Sequence, residues 1–382
     1  MHWNIKDTPL KETTAHLIEC LGVDAVVAQL LAQRGITTFE EARAFFRPHI
    51  GQLHDPFLMQ DMDKAVGRLQ QAIDQKEAVM VYGDYDVDGT TSVSLLTHFL
   101  RSQGLDVTPY IPDRYAEGYG LSKKGIDTAK AANISLMIAL DCGVKAIEQV
   151  AYAKTLGIEL IICDHHTPAD VLPDALAVLD PKRGDCTYPF KELCGCGVGF
   201  KLMQGLLQQQ GKEVNEIIAY LDFVAVAIAA DIVPMVGENR ALAFLGLQQL
   251  NTNPRPGLKA LMRDKQTGQI ISDVVFGMTP RINAAGRMKH GLDAVALLLS
   301  ASDEEAKKIA QEVETYNTSR REVEQEITKE ALAQIVVNKE TNNATNVVYA
   351  PHWHKGVIGI VASRLIETYY RPTLQSRGNS LY

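Results

Sequence analysis

Short runs of apolar, β-branched residues alternate along this chain with stretches whose apolar positions recur at helical spacing. Ala78 to Tyr82, Val107 to Ile111, Ile134 to Leu140, Ile158 to Cys163 and Val178-Leu179 read as buried strands. Helical patterns lie around them at Met62 to Asp74, at about Thr91 to Gln103, and after Gly143 to Leu156. Strands and helices in such alternation predict a parallel α/β sheet. Further helices are expected over Phe200 to Gln209 and over residues 216–230.

The flanks differ from this middle. Residues 1–50 read as a helical preface, with Thr38 and Glu41 as a capping box and Pro48 as its end. Ser302 with Glu305 opens a second capping box. The apolar positions behind it, from Ala306 to Ile335, define an amphipathic helix far longer than the usual ~11–12 residues. A helix of that length predicts a connector between domains. Asn346 to Ala350 then reads as a strand, followed by a loop with His352 and His354 and another helix. The expected division is a preface (1–50), a first α/β domain (51–300), a connector helix (301–340) and the start of a second α/β domain (341–382).

Composition changes this picture little. The 382 residues are 46% hydrophobic and 22% charged, ordinary for a globular protein. A formal net charge of −8 argues against a general basic coat for nucleic acid, but allows a local basic channel. The six cysteines form no paired metal motif and no disulfide framework, which fits a reducing cytoplasm. Phe223 to Ala230, the most apolar run, falls far short of the ~20 residues that span a bilayer, so no membrane partner is expected.

Candidate chemistry collects where strands end. Ala78 to Tyr82 leads into Asp84, Asp86 and Asp88, then Gly89 and three hydroxyl residues. Ile134 to Leu140 ends at Asp141, and Ile158 to Cys163 ends at Asp164-His165-His166. One polar residue at a strand tip is ordinary, and the plain alternative for the first stretch is a solvated Asp-rich turn. Three neighbouring strands of one parallel sheet share a carboxyl edge, where such folds bind ligands. Carboxylates this close repel one another unless a cation lies between them, and hard oxygen ligands suit Mg²⁺ or Mn²⁺. An EF-hand does not fit, because Leu95 stands where its last ligand would be. Asp231, after the apolar helix, joins the set only if it reaches the same cluster. Arg281, Asn283, Gly286 and Arg287 lie close together in a stretch read as a loop, and arginine forks match phosphates. Solvent-facing arginines are the plain alternative there. Arg114 lies in a loop with two glycines and two tyrosines, a mix common in binding loops.

Asp164-His165-His166 resembles the signature triplet of the DHH phosphoesterase superfamily. Tyr82 to Thr90 is similar to that family's first motif, Asp141-Cys142-Gly143 to its second, and Asp231 with Val233-Pro234 to its fourth. Arg281 to Met288 and His354 to Leu365 are similar to its bacterial exonuclease branch. The resemblance implies a DHH domain followed by a DHHA1 domain. It implies a metal-dependent 5′-to-3′ exonuclease on single-stranded DNA, acting in DNA repair and recombination beside a helicase and a single-strand-binding protein. It implies two ions, Mn²⁺ or Mg²⁺, held by Asp86, Asp88, Asp141, His165 and Asp231, with Asp84 as a further ligand. His166 would contact the phosphate or leaving group, Asp164 would orient a histidine, and Arg114, Arg281, Asn283 and Arg287 would grip DNA phosphates. Two alternatives stay open: a phosphodiesterase acting on short oligonucleotides or cyclic dinucleotides, and a non-catalytic DNA-binding scaffold. The likeness stops after Leu374, and the polar residues from Gln375 to Tyr382 show no strand pattern. The expectation is therefore a truncated second domain, poorly anchored, with Val347, Ile358, Ile360 and Val361 exposed.

Overall fold

The computed structural model describes residues 4–262, 264, 266–377 and 380–381. The preface is three helices, α1 (Lys11–Leu21), α2 (Ala25–Ala32) and α3 (Phe39–Phe46), around Leu17, Ala28, Leu31 and Ala42. Thr38 and Glu41 form the expected capping box at α3.

The central domain runs α4 (Met62–Gln75), β1 (Ala78–Gly83), α5 (Val87–Ser102), β2 (Asp106–Tyr110), α6 (Lys123–Ala131), β3 (Leu136–Leu140), α7 (Ile147–Thr155), β4 (Glu159–Cys163) and β5 (Ala177–Leu179). The strands form one sheet in the order β2-β1-β3-β4-β5, and every pairing is parallel. Side chains alternate across it with the period of two that a pleat dictates. Val79 and Val81 enter the larger core, with Leu96 of α5 and Leu69 of α4. Met80 and Tyr82 enter the other, with Ile126 of α6 and Val150 of α7. Parallel strands covered on both faces need no polar side, which is why β1, β3, β4 and β5 are almost wholly buried while the edge strand β2 keeps exposed positions.

Beyond the sheet, α8 (Gly195–Gln209), α9 (Leu221–Asp231) and α10 (Gly237–Thr252) extend the larger core. Then follow α11 (Pro256–Leu261), α12 (Ile271–Asp273), a π-helical turn, α13 (Thr279–Met288) and α14 (Gly291–Leu298). Three expectations change here. Helix α5 starts at Val87, not near Thr91, because Asp86 caps it and accepts the Gly89 N–H at 3.1 Å. Helix α8 starts at Gly195 rather than Phe200, so its glycine-rich first turn is helical. The arginine-bearing stretch is helix α13, not a loop: Pro280 sits in its first turn, where a missing N–H costs nothing.

The connector is α15 (Asp303–Val337), 35 residues, with Ser302 accepting the Glu305 N–H. It is followed by β6 (Asn346–Tyr349), α16 (Ile358–Tyr369), β7 (Thr373–Arg377) and β8 (Ser380–Leu381). Here the expected loose tail is corrected. Ile358, Val361, Leu365 and Trp353 bury against Ile327, Ala331 and Ile335 of the connector, so the second unit borrows its core from α15. Of the residues expected to be exposed, Val347 is, while Ile360 is partly buried. Residues 373–377 form a strand despite their polarity, since β7 gains backbone pairing with β6 and its Gln375 is buried. Residues 378, 379 and 382 of that tail lie outside the described residues. Among the described residues no single helix is long and apolar enough to cross a membrane.

Candidate metal centre

The carboxyl edge of the sheet gathers the predicted acids. After β1 the chain folds back tightly onto α5: a Cβ on Gly89 would lie 2.2 Å from the Asp84 carbonyl oxygen, so only glycine fits. This turn buries Asp84 and sets Asp88 in the first turn of α5. The Asp88 carboxylate accepts N–H groups from Gly195 at 2.6 Å and Cys196 at 2.8 Å. It thereby satisfies the open start of α8 and faces the positive end of that helix. A Cβ on Gly195 would lie 2.6 Å from the Asp141 Cβ, so α8 also presses against the tip of β3. Asp141 itself adopts φ 58°, a conformation unfavourable for residues other than glycine, and its N–H donates to the Cys163 carbonyl at 2.9 Å.

Three carboxylates meet one imidazole. His165 Nε2 lies 3.0 Å from Asp141, 3.6 Å from Asp231 and 3.7 Å from Asp88. Asp231 is the last residue of α9 and not a residue beyond it, and Ile232 turns the chain away with φ 58°. Burial chiefly, with the charges of His166 and Lys182 adding, pushes His165 down to about 4. A neutral imidazole cannot balance the acids around it. Burial and the neighbouring charge of Asp86 push Asp84 up to about 7. Burial, then Asp231, raises Asp88 to about 8, and burial with Asp86 raises Asp231 to about 6. Asp141 is held well above the carboxylate range by burial and Asp88.

These residues fit divalent cations. Asp84 Oδ1 and Asp231 Oδ2 are buried with no hydrogen-bond partner, so each oxygen lacks the contact that burial demands. Three groups each bring ligand atoms within 4.8 Å of one another: Asp84, Asp86 and Asp141; Asp88, His165 and Asp231; Asp141, His165 and His166. Asp141 belongs to two of these, and so does His165, so the groups are contiguous. Oxygen-rich sets with imidazole suit Mn²⁺ and Mg²⁺.

Around the acids lies a layer that orients histidine. Asp164 is buried and accepts N–H groups from Val144 at 2.9 Å and His165 at 2.7 Å, and its Oδ1 lies 2.7 Å from His166 Nδ1. Burial alone would raise Asp164, but the bond to the His166 ring and the N–H groups of Val144 and His166 hold it below the usual range. The same bond raises His166. His166 Nε2 meets the Tyr119 hydroxyl at 3.1 Å. Tyr119 packs edge-on to Tyr85, whose ring lies 4.1 Å from the Arg114 guanidinium. Reasoning from the sequence misses Tyr119; the pair of tyrosines in its glycine-containing loop is the available signal.

The predicted phosphate-binding residues divide. Helix α13 packs so closely on the first turn that a Cβ on Gly286 would lie 2.6 Å from the Tyr85 carbonyl oxygen. Arg287 donates to the Gly356 carbonyl at 2.9 Å, linking α13 to the second unit. Burial, then Arg114 and Arg320, pushes Arg287 down to about 10, while Asp86 opposes the shift. Asn283 is partly buried on the same helix. Arg281 is not brought into this group: it pairs with Glu314 of α15 and donates to the Leu261 carbonyl at 3.0 Å.

Residues 78–228 match the DHH family, N-terminal domain. The chain is 40% identical over 377 residues to the single-stranded-DNA-specific exonuclease RecJ of Bacillus subtilis, covering 98% of this chain and 47% of that protein. RecJ from Thermus thermophilus has been solved with Mn²⁺ (TM-score 0.85, 28% identity, 98% of this chain and 54% of that one). It has also been solved with Mg²⁺ (TM-score 0.76, 27% identity, 98% and 51%). An exonuclease RecJ bound to manganese superposes with TM-score 0.76 at 32% identity, covering 86% of this chain and 82% of that one. The chain thus spans about half the length, 47%, of the Bacillus relative.

Proposed function

The chain belongs to the DHH family, in its RecJ branch, and from that membership we propose that it hydrolyses phosphodiester bonds of single-stranded DNA from the 5′ end with Mn²⁺ or Mg²⁺. The carrying observation is the convergence of Asp88, Asp141 and Asp231 on one neutral histidine, with buried carboxylate oxygens left unpartnered. Asp86, Asp88, Asp141, His165 and Asp231 would hold two cations, with Asp84 at the edge of the set. Paired cations, when bound, supply charge that activates water and steadies the scissile phosphate and leaving oxygen. The chain's own residues do the rest. Asp164 accepts the Nδ1–H of His166 and favours its doubly protonated form, in which Nε2–H is a hydrogen-bond donor beside the cluster. His166 donates that bond to a phosphate oxygen or to the leaving oxygen. Arg114 and Arg287 hold phosphates on the β1–β2 side, and Asn283 adds a neutral donor. Arg281 contributes by anchoring α13 on the connector.

In the cell this activity would belong to DNA repair and recombination in the cytoplasm, with a helicase and a single-strand-binding protein supplying the strand. The test is degradation of end-labelled single- and double-stranded oligonucleotides with Mn²⁺ or Mg²⁺. Metal-dependent loss of single-stranded substrate from the 5′ end, abolished in Asp141→Ala, supports the reading. Full activity in excess chelator overturns it, and a preference for dinucleotides or cyclic dinucleotides over long strands replaces the substrate.

A further inference from the structure

The chain leaves β5, the outer strand of the sheet, through Asp180-Pro181-Lys182. Leu179 pairs with Cys163, and the Asp164 N–H donates to the Leu179 carbonyl at 2.9 Å. Asp180 therefore lies beside Asp164 on the same carboxyl edge. It is fully buried, with relative exposure 0%. Its Oδ1 accepts the Lys182 N–H at 2.7 Å, while its Oδ2 is buried without a partner. A buried acid spent on one turn fixes where the next side chain leaves the backbone.

Lys182 is the cation that this turn presents. Its side chain is 27% exposed, and its ion pair, with Glu192, is 3.9 Å long, beyond hydrogen-bond range. Its positive charge reaches both Asp231 and His165, lowering the proton affinity of each. The strand order sets Arg114 after β2 at one edge and Lys182 after β5 at the other, with the acids between. At about 4.8 Å per strand the five strand tips span roughly 19 Å, and the edge between the two cations has room for more than one backbone phosphate.

We infer that Lys182, with Asp180 as its positioning residue, binds a backbone phosphate of the substrate strand on the β5 side of the metal centre, opposite the phosphates held by Arg114 and Arg287. The inference rests on the nuclease reading above. A strand crossing the acidic edge needs a cation on each side of it, because its phosphates repel the carboxylates. One lysine ammonium suits a phosphate as a point charge and needs no bidentate geometry.

The test compares the chain with Lys182→Met, Lys182→Arg, Asp180→Asn and, as a control, Lys154→Met at the far end of the sheet. Each is measured on a single-stranded oligonucleotide and on bis(p-nitrophenyl) phosphate, a probe with one phosphodiester, in Mn²⁺. Lys182→Met is expected to raise KM for the oligonucleotide about tenfold, the loss of one charge-assisted contact, with a smaller effect on kcat. The slope of log affinity against log salt should fall by about one. Lys182→Arg should restore most of the loss, Asp180→Asn should show a weaker form of it, and Lys154→Met should show none. An unchanged KM in Lys182→Met, or an equal loss on both substrates, overturns this inference alone. A wild-type chain that degrades neither substrate overturns the nuclease reading with it.

Discussion

One oxygen of Asp164 lies 2.7 Å from His166 Nδ1, and the other accepts the Val144 N–H at 2.9 Å. The carboxylate is thus fixed from two sides before it touches the imidazole. The ring in turn meets Tyr119 at 3.1 Å through its other nitrogen, so its tilt is set from both ends.

Asp164→Asn is nearly isosteric but removes the charge that raises His166. Activity is expected to fall about 10- to 100-fold, as for other groups that orient a metal-site ligand. The His166 pKa should move down, which a histidine-resolved NMR titration reads directly. An unmoved titration with full activity would refute the role.

The acids make a second prediction, about pH. In the metal-free chain Asp84 and Asp88 bind protons more tightly folded than unfolded, at about 7 and about 8 against a usual 3.8. Such groups favour the fold at low pH, and that contribution is lost as pH rises through those values. His165, pushed down to about 4, acts in the opposite sense, but its effect is complete by its ordinary value of 6.5. Above about pH 6.5 the acids therefore dominate. The metal-free Tm should fall between about pH 6.5 and 8.5, while the Tm increment from Mn²⁺ should grow. A metal-free Tm that climbs over this range contradicts the cluster as described.

How far the sequence carried is clearest at these residues. Apolar runs bounded by polar tips located β1, β3, β4 and β5, because strands buried on both faces have no polar side to blur them, and the edge strand β2 showed through its β-branched residues. The sequence pattern could not show that Asp88 would face the start of α8, a contact 107 residues away along the chain. Nor could it separate Arg281 from Arg287, since both belong to one short polar stretch and only the packing of α13 decides which side faces the acids. The second unit misled for a related reason. Its own residues are too few for a core, and the missing half of that core lies on the connector, at Ile327, Ala331 and Ile335.

Gly195 should be intolerant of any side chain. An added methyl would meet Asp141 at 2.6 Å on Cβ and 2.8 Å on Cα, and the Gly195 N–H is also a donor to Asp88. Gly195→Ala is expected to displace two ligands at once. Mn²⁺ affinity, read by calorimetry, should fall at least about tenfold, a loss of ligand alignment, with the circular dichroism spectrum retained. Native affinity in this variant would show that α8 does not set the site.

Trp353 tests the borrowed core. It is fully buried, and its indole N–H donates to Glu330 of the connector at 2.9 Å. Trp353→Ala should cost about 3–5 kcal/mol of local stability. Hydrogen exchange should then speed up over residues 346–377 while β1, β3 and β4 stay protected. Uniform loss of protection across both units would mean that they fold as one.

The two arginines of α13 give the last test, because one short helix carries both and only one faces the acids. Arg287 is partly buried, near enough to Arg114 and Asp86 to feel both charges, and held by the Gly356 carbonyl at 2.9 Å. A cation fixed among carboxylates and another cation is placed for a phosphate, which relieves its repulsion from Arg114. Arg281 already has a carboxylate partner in Glu314, and that pair is partly exposed. Exposed pairs contribute about 0–1 kcal/mol. Arg287→Met should therefore weaken single-stranded oligonucleotide binding at low salt and lower the salt slope by about one. Arg281→Met should lower Tm slightly and leave the slope unchanged. Binding measured across a salt series separates the two variants. Equal slope changes in both would mean that α13 meets the strand along its whole length, and that the ion pair with Glu314 opens when DNA binds.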